Sequence, residues 1–298
     1  MPDTVGTAPQ EHGRFDFSAI TSRPKLEWPD GARVALWVIP NIEHFLFDRP
    51  SSSIIQSTTS FVPDVLNYAW RDYGVRVGIW RMMEIMEKYG VKGTVALNSD
   101  ACVHYPAVIQ AGQSLDWEWM GHGTNNSSVI TGIPEDEERR IVREVVSTIT
   151  QATGTAPRGW LSPALTETHQ TPDILAENGL RYVANWTNDD QPYEMRVRSG
   201  SMLSLPYSVE MNDYTAFLEQ GLSGRDFGDA ICDQFDQLYA DGASTGRVMS
   251  LCLHPFLIGQ PHRAKHFERA LKHITAHDAV WLAKGGEIAD WYTSTRGR

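Results

Sequence analysis

The sequence predicts an α/β fold on a largely parallel sheet, either closed into a barrel or doubly wound, and three observations carry that expectation. Short apolar runs alternate with amphipathic helical patterns about seven times along the chain. No Pro/Ser-rich linker or shift of composition interrupts the alternation, which favours a single domain over residues 31–298. Hydrophobic types make up 41% of the 298 residues, enough to bury a large core, and charged types at 21% are ordinary for a globular chain. Residues 1–30 hold Pro2, Pro9, Pro24 and Pro29 without sustained periodicity and read as an irregular arm packed on that domain.

Each element follows from local chemistry. Residues 33–39 (RVALWVI) form an apolar run bounded by Gly31 and Pro40, the pattern of a strand buried on both faces. Residues 78–89 place Ile79, Met82, Met83 and Met86 at helical spacing, and Gly90 supplies the stop. Residues 94–97 and 117–120 are the next strands, the second running into Gly121-His122-Gly123. Residues 135–152 form the clearest helix. Glu135, Asp136 and Glu137 sit in its electropositive first turn, Ile141, Val145 and Ile149 line one face, and Gly154 closes it. A strand at 159–161 precedes a short helix that Thr171-Pro172-Asp173 opens and Gly179 ends. A strand over 182–186 follows, then a helix over 224–239 with Phe227, Ile231, Phe235 and Leu238 on one stripe. Strand 247–253 (RVMSLCL), helix 264–276 and strand 280–283 complete the pattern.

Bulk properties exclude several function classes. A net charge of −11 repels a polyanion, so no nucleic-acid partner is expected. No window of about 18 apolar residues is present, so no membrane span is expected. The polar opening MPDTVGTAPQEHGRFDF lacks the apolar region of a secretory signal. Cys102, Cys232 and Cys252 are scattered and odd in number, which suits a reducing, cytoplasmic setting rather than a disulfide framework. The expected partner is a small-molecule substrate.

In parallel β/α folds the loops that follow the strands gather at one rim, and the chemistry gathers with them. The polar residues at those positions are Asn41, Glu43 and His44, then Asn98 and Asp100, then His122, Thr124, Asn125 and Asn126. Arg158, Trp160 and Ser162 flank the fourth strand, Asn188, Asp189 and Asp190 follow the fifth, and His254 follows strand 247–253. A titratable group after nearly every strand is the pattern of a hydrolytic site. The GxSxG and GxGxxG patterns are absent, so neither a serine nucleophile elbow nor a dinucleotide site is expected.

Five segments in order, VIPNIEHF, MGHGTNN, PRGWLSP, WTNDDQPY and LCLHPFLIGQPHR, resemble the motif regions of the NodB-homology or polysaccharide deacetylase family across roughly residues 33–292. The pieces NDDQPY and LHPFLIGQPHR resemble more closely its small-molecule branch, the metal-independent type of allantoinase and the cyclic imide hydrolases. The resemblance implies a deformed (β/α)7 barrel. It also implies a homo-oligomer, dimer or tetramer, to which the aromatic-rich 191–220 segment would contribute. A sugar deacetylase of this family carries two adjacent Asp after the first strand, a base and a metal ligand, and an HxxxH pair after the third. Here Glu43 and His44 replace the Asp pair, and Asn126 stands at the second histidine. An Asn amide is a poor ligand for zinc. The remaining candidate set for a divalent metal such as Zn²⁺ is His44 with His122 and one or two waters.

The activity implied is hydrolysis of a non-peptide C–N bond in a small cyclic amide, imide or ureide. Glu43 is the candidate base, with Trp37, Phe45 and Phe47 expected to raise its pKa towards neutrality. His122, between two glycines, would hold or activate water, and His254 would be the general acid or an electrostatic stabiliser. One of Asp189 and Asp190 would orient a histidine or bind an imide N–H, Asp189 counting as catalytic and Asp190 as substrate-binding. Asn41, Asn126 and Arg158 would bind substrate, with Arg158 paired to a carboxylate, one of these two aspartates being the candidate. Trp160, Trp186 and Tyr207 would wall a planar ring. Two rival readings remain: a polysaccharide or oligosaccharide N-deacetylase with altered metal ligands, and a non-catalytic ligand-binding barrel.

Overall fold

The computed structural model describes residues 12–295, so residues 1–11 of the expected arm and residues 296–298 lie outside the description. β1 (Val34–Ile42) is buried along its whole length. Val34, Leu36, Val38 and Ile42 pack with the helices, whereas Ala35, Trp37 and Ile39 belong to a second cluster inside the curl of the sheet, the two-residue alternation of a strand covered on both faces. An irregular stretch leads to α1 (Val65–Tyr73), whose first turn is capped by Asp64 on the Asn67 amide. A π-helical turn (Gly74–Gly78) joins it to α2 (Ile79–Lys88).

β2 (Thr94–Leu97), α3 (Ser99–His104), α4 (Pro106–Ser114) and β3 (Glu118–Gly121) follow. α5 (Glu135–Thr153) has four acidic residues in its first turn and ends at Gly154 with φ 73°, a left-handed position that glycine adopts at no steric cost. β4 (Gly159–Trp160), α6 (Thr171–Glu177) and β5 (Tyr182–Val183) are short. β6 (Tyr193–Met195) and β7 (Met202–Ser204) pair antiparallel. α7 (Gly224–Asp241), opened by a Ser223/Asp226 capping box, β8 (Arg247–Leu253), α8 (Pro261–Ile274), β9 (Val280–Leu282) and α9 (Gly285–Thr295) complete the chain.

The strands β7-β5-β4-β3-β2-β1-β8 are neighbours in that order and mutually parallel, which gives the seven staves of a deformed (β/α)7 barrel. β9 pairs with the first residues of β1, on the stretch that β2 does not reach. The gap between β7 and β8 is crossed by irregular backbone: Val248 N–H donates to Asp190 C=O at 2.8 Å and Cys252 N–H to Met211 C=O at 3.0 Å. The interior is a packed core rather than a channel. Trp37 and Tyr182 meet edge to face at 6.2 Å, and Trp28 and Ile288 join the same cluster.

Residues 12–30 are tied to this body by polar anchors. Arg14 is bidentate on Asp173 (3.0 and 2.8 Å), Arg23 is bidentate on Asp189 (2.7 and 2.6 Å), and the Trp28 indole N–H donates to Arg247 C=O at 2.9 Å. Among the described residues no helix is long and apolar enough to cross a membrane.

Candidate active site

Glu43, Asn98, His122 and His254 are each the first residue after their strand, so the barrel delivers all four to one rim. Glu43 is the centre of what they build. Its Oε1 lies 3.4 Å from His122 Nε2 and 3.5 Å from His254 Nε2, and the Asn126 amide donates to the same oxygen. The side chains of Glu43, His122 and His254 are 4%, 4% and 8% exposed, so their charges interact with little screening by solvent.

The two histidines differ in what stands behind them. His122 Nδ1 is 2.5 Å from Leu161 C=O. A carbonyl only accepts, so Nδ1 carries a proton and Nε2 is the atom turned to Glu43. His254 Nδ1 instead meets Asp213 Oδ1 at 2.7 Å. Asp213 is fully buried and also accepts the backbone N–H groups of His254 (2.9 and 3.0 Å) and Ile258 (3.1 Å). One carboxylate thus fixes both the ring and the loop that bears it.

The electrostatics follow from this arrangement. Burial alone would raise the Glu43 pKa, but the His254 imidazolium overcomes it and holds the carboxyl well below its usual range. Burial alone would lower His254, but Glu43 and Asp213 overcome it and lift the imidazole far above its usual value. Glu43 is therefore a settled anion and His254 a settled cation at neutral pH. The expected upward shift of Glu43 is corrected here. Trp37 points into the barrel interior and Phe47 is 48% exposed, so of the three aromatics only Phe45 lines the cavity beside Glu43.

The structure brings together Glu43, His122, His254 and Asn126 and places the other expected residues elsewhere. Arg158 precedes β4, at the opposite end of the barrel, where it pairs with Asp290 at 3.0 Å rather than with Asp189 or Asp190. Asp189 holds Arg23 of the arm, and Asp190 lies 3.7 Å from Arg247 Nε. Neither orients a histidine. The Asn41 amide donates to Ile39 and Leu253 backbone carbonyls, a strand-bracing role. Trp160 is wholly buried against Gly121, where an added Cβ would meet its ring at 2.4 Å. Tyr207 is buried with the barrel core and accepts from Asn212 at 3.1 Å. Trp186 packs on Phe15 at 5.2 Å, in a larger recess with Glu167 and Arg196 that contains none of the converging strand-end groups.

Asn98 and Asp213 are the site residues that the sequence reading did not assign a role. Asn98 accepts the His44 N–H at 2.9 Å and donates to His122 C=O and Asn126 Oδ1, fastening three loops together. Arg71 of α1 stacks over Phe45 at 4.7 Å, and its buried Nε has no partner. With Glu43, Tyr68 and Tyr105 it lines a small cavity with room for about one water.

The residues present do not fit a three-ligand metal at this rim. His44 Nδ1 is engaged by the Tyr105 hydroxyl at 3.0 Å, and its ring stacks on His104 at 4.2 Å. The Asn126 amide is committed to Glu43 and Asn98. Among the described residues, no group of three His, Cys, Asp or Glu ligand atoms closes around His122.

Comparison with known proteins adds the family. Residues 70–183 match the polysaccharide deacetylase family. The chain is thus similar to the NodB-type polysaccharide deacetylases. A Schizosaccharomyces pombe protein described as a polysaccharide deacetylase is 25% identical over 297 residues, 90% of this chain and 92% of that one. Among solved structures, PuuE allantoinase superposes with TM-score 0.84 at 25% identity, covering 93% of this chain and 96% of its own. The probable polysaccharide deacetylase of Pseudomonas aeruginosa PAO1 gives TM-score 0.83 at 27% identity over 93% and 96%. This NodB-type chain is a hydrolase of the polysaccharide deacetylase/allantoinase-like kind.

Proposed function

We propose that the chain opens a small cyclic amide, imide or ureide by hydrolysis of a C–N bond. The observation that carries this reading is the ionised Glu43 between two histidines of opposite character. His122 is backed by a neutral carbonyl and His254 by the buried Asp213. A neutral imidazole whose Nδ1 proton is pinned takes a proton at Nε2, so His122 draws one from water as that water attacks the substrate carbonyl. Glu43 stabilises the imidazolium that forms. His254, held protonated, gives its Nε2 proton to the nitrogen as the C–N bond breaks. The products are a carboxylic acid and the freed nitrogen end (an amine from a cyclic amide, an amide from an imide, a urea from a ureide), and the two histidines recover their starting states by exchange with solvent. Arg71, which lines the cavity beside Glu43 and whose buried Nε has no partner, is the donor for a carbonyl oxygen of the ring.

One feature supports a small ring over a glycan: Glu43-His44 stands where the sugar enzymes of the resemblance carry two Asp. Both the allantoinase and the deacetylase-named relatives share about a quarter of their residues with this chain, so likeness alone does not choose between them. Turnover of succinimide, hydantoin, allantoin and an N-acetylglucosamine oligomer separates the readings. Hydrolysis of at least one ring is expected, and activity on the oligomer alone overturns the proposal. No turnover together with ligand-raised thermal stability would favour the non-catalytic barrel.

The same reading includes a homo-oligomer and a reducing compartment, and the three free cysteines suit the latter. In the 191–220 segment Tyr207 and Phe217 are buried, which leaves little aromatic surface for contacts between copies. Exposed apolar side chains collect instead in residues 47–66, including Phe47, Phe61 and Val62. Sedimentation at the mass of one chain would remove the oligomer from the reading.

A further inference from the structure

A second cluster of histidines lies on the helical layer, and the proposed reaction makes no use of it. Asp236 of α7 faces His273 near the end of α8, Oδ1 to Nε2 at 2.7 Å. His277 follows one turn on, its ring centre 4.9 Å from that of His273. His277 Nδ1 meets the His273 carbonyl at 3.0 Å; a carbonyl only accepts, so the proton is on Nδ1 and the Nε2 lone pair is free. One ligand atom from each of the three residues lies within 4.8 Å of the others.

The rings are held in place before any ligand arrives. Phe235 meets both imidazoles edge-on at 5.8 and 5.0 Å, and Tyr239 meets His277 at 5.3 Å. Tyr239 is itself fixed by its hydroxyl on Asp278 C=O (2.7 Å) and by the Arg33 guanidinium over its face (4.8 Å). Arg33 immediately precedes β1, and Glu43 immediately follows it, so the cluster sits near the opposite rim, on the order of 30 Å from the catalytic groups.

We propose that Asp236, His273 and His277 bind one divalent transition-metal ion, Zn²⁺ being the probe of choice, and that the ion clamps α7 to α8 without entering the chemistry at Glu43. Two imidazole nitrogens and one carboxylate oxygen are the donors that zinc and its neighbours prefer, whereas Mg²⁺ and Ca²⁺ select oxygen-only shells. Water completes the coordination, because Asp236 and His273 are 55% and 35% exposed. On binding, His273 gives up its Nε2 proton to solvent, and the Asp236 oxygen that accepted it turns to the ion. This inference is independent of the proposed reaction.

The test is a calorimetric titration of chelator-treated full-length chain with ZnCl₂, paired with thermal unfolding. One Zn²⁺ per chain is expected, with Tm raised by roughly 5 °C at a hundredfold excess over Kd. MgCl₂ is expected to give no shift, and stripped and loaded protein should turn over substrate equally. The double variant His273→Ala/His277→Ala should lose both the binding and the Tm shift. Should it fail to fold, Asp236→Asn serves instead, with affinity expected to fall at least tenfold. Absence of Zn²⁺ binding by the wild type, or unchanged binding by whichever variant folds, overturns the proposal.

Discussion

Asp213 decides what His254 can do, because it accepts from both the backbone N–H and Nδ1 of that histidine and is itself out of reach of water. Asp213→Asn would keep the size but present an amide N–H where an acceptor is needed, favouring the wrong tautomer of His254. We expect kcat to fall by about 10²–10⁴. The alkaline limb of the rate profile should move to lower pH, since the wild-type limb reflects loss of the proton from a histidine whose pKa is raised. Glu43→Gln should cost at least roughly 10² in kcat while the chain stays folded, measured by turnover beside far-UV circular dichroism. Asp213 was not legible because the strand before its loop, β7, is only three residues long, and the partners of Asp213 are backbone amides more than forty residues on. Glu43 was legible by position but not by charge. Its sequence neighbours are aromatic, while the groups that set its ionisation arrive from β3 and β8.

Elements were readable where one periodicity ran long enough to exclude the other. β8 (RVMSLCL) is mostly apolar and buried along its whole length, and α5 couples a four-residue acidic start to a stripe that includes Val145 and Ile149. α3, α4 and the β6–β7 pair were not recognised, since each is short and its pattern fits loop as well as helix or strand. Arg158 was misplaced for a related reason. A residue before a strand and one after it lie at opposite ends of the barrel, and only the latter reaches the rim. Contact between elements also has a sharp requirement at Gly78, where the π-helical turn meets the loop after His254. A Cβ there would stand 2.0 Å from Pro255 O, and one at the adjoining Gly259 would stand 2.2 Å from the same oxygen. Gly78→Ala should destabilise by about 1–3 kcal/mol in urea unfolding and lower kcat as well, because the displaced backbone carries the catalytic acid.

For the whole molecule, pH dependence of stability has an identifiable source outside the catalytic rim. Burial lifts the Glu167 pKa from 4.5 to about 7, against a hydrogen bond from Asn185. The folded state therefore holds a proton that the unfolded state has lost, and stability declines as pH climbs between those two values. At pH 8 the full penalty applies, about 3 kcal/mol from the difference between the two pKa values. Glu167→Gln should raise Tm at pH 8 and leave it almost unchanged at pH 4, as scanning calorimetry would show. The barrel was foreseeable from strand–helix alternation, but its closure was not. Irregular backbone at residues 190 and 211 hydrogen-bonds to β8 where a regular stave would pair.

The cavity beside Glu43 has two kinds of wall. Phe45, Tyr68 and Arg71 come from the stretch between β1 and α2 and Tyr105 from the turn between α3 and α4, whereas the histidines that meet Glu43 Oε1 come from the ends of β3 and β8. Chemistry and selectivity are therefore written in separate stretches of the chain. Drift in residues 45–70 can retune which ring is accepted while Glu43, Arg71 and the two histidines stay untouched. A directed-evolution library confined to residues 45–70 is accordingly the economical route to a new substrate range on this scaffold.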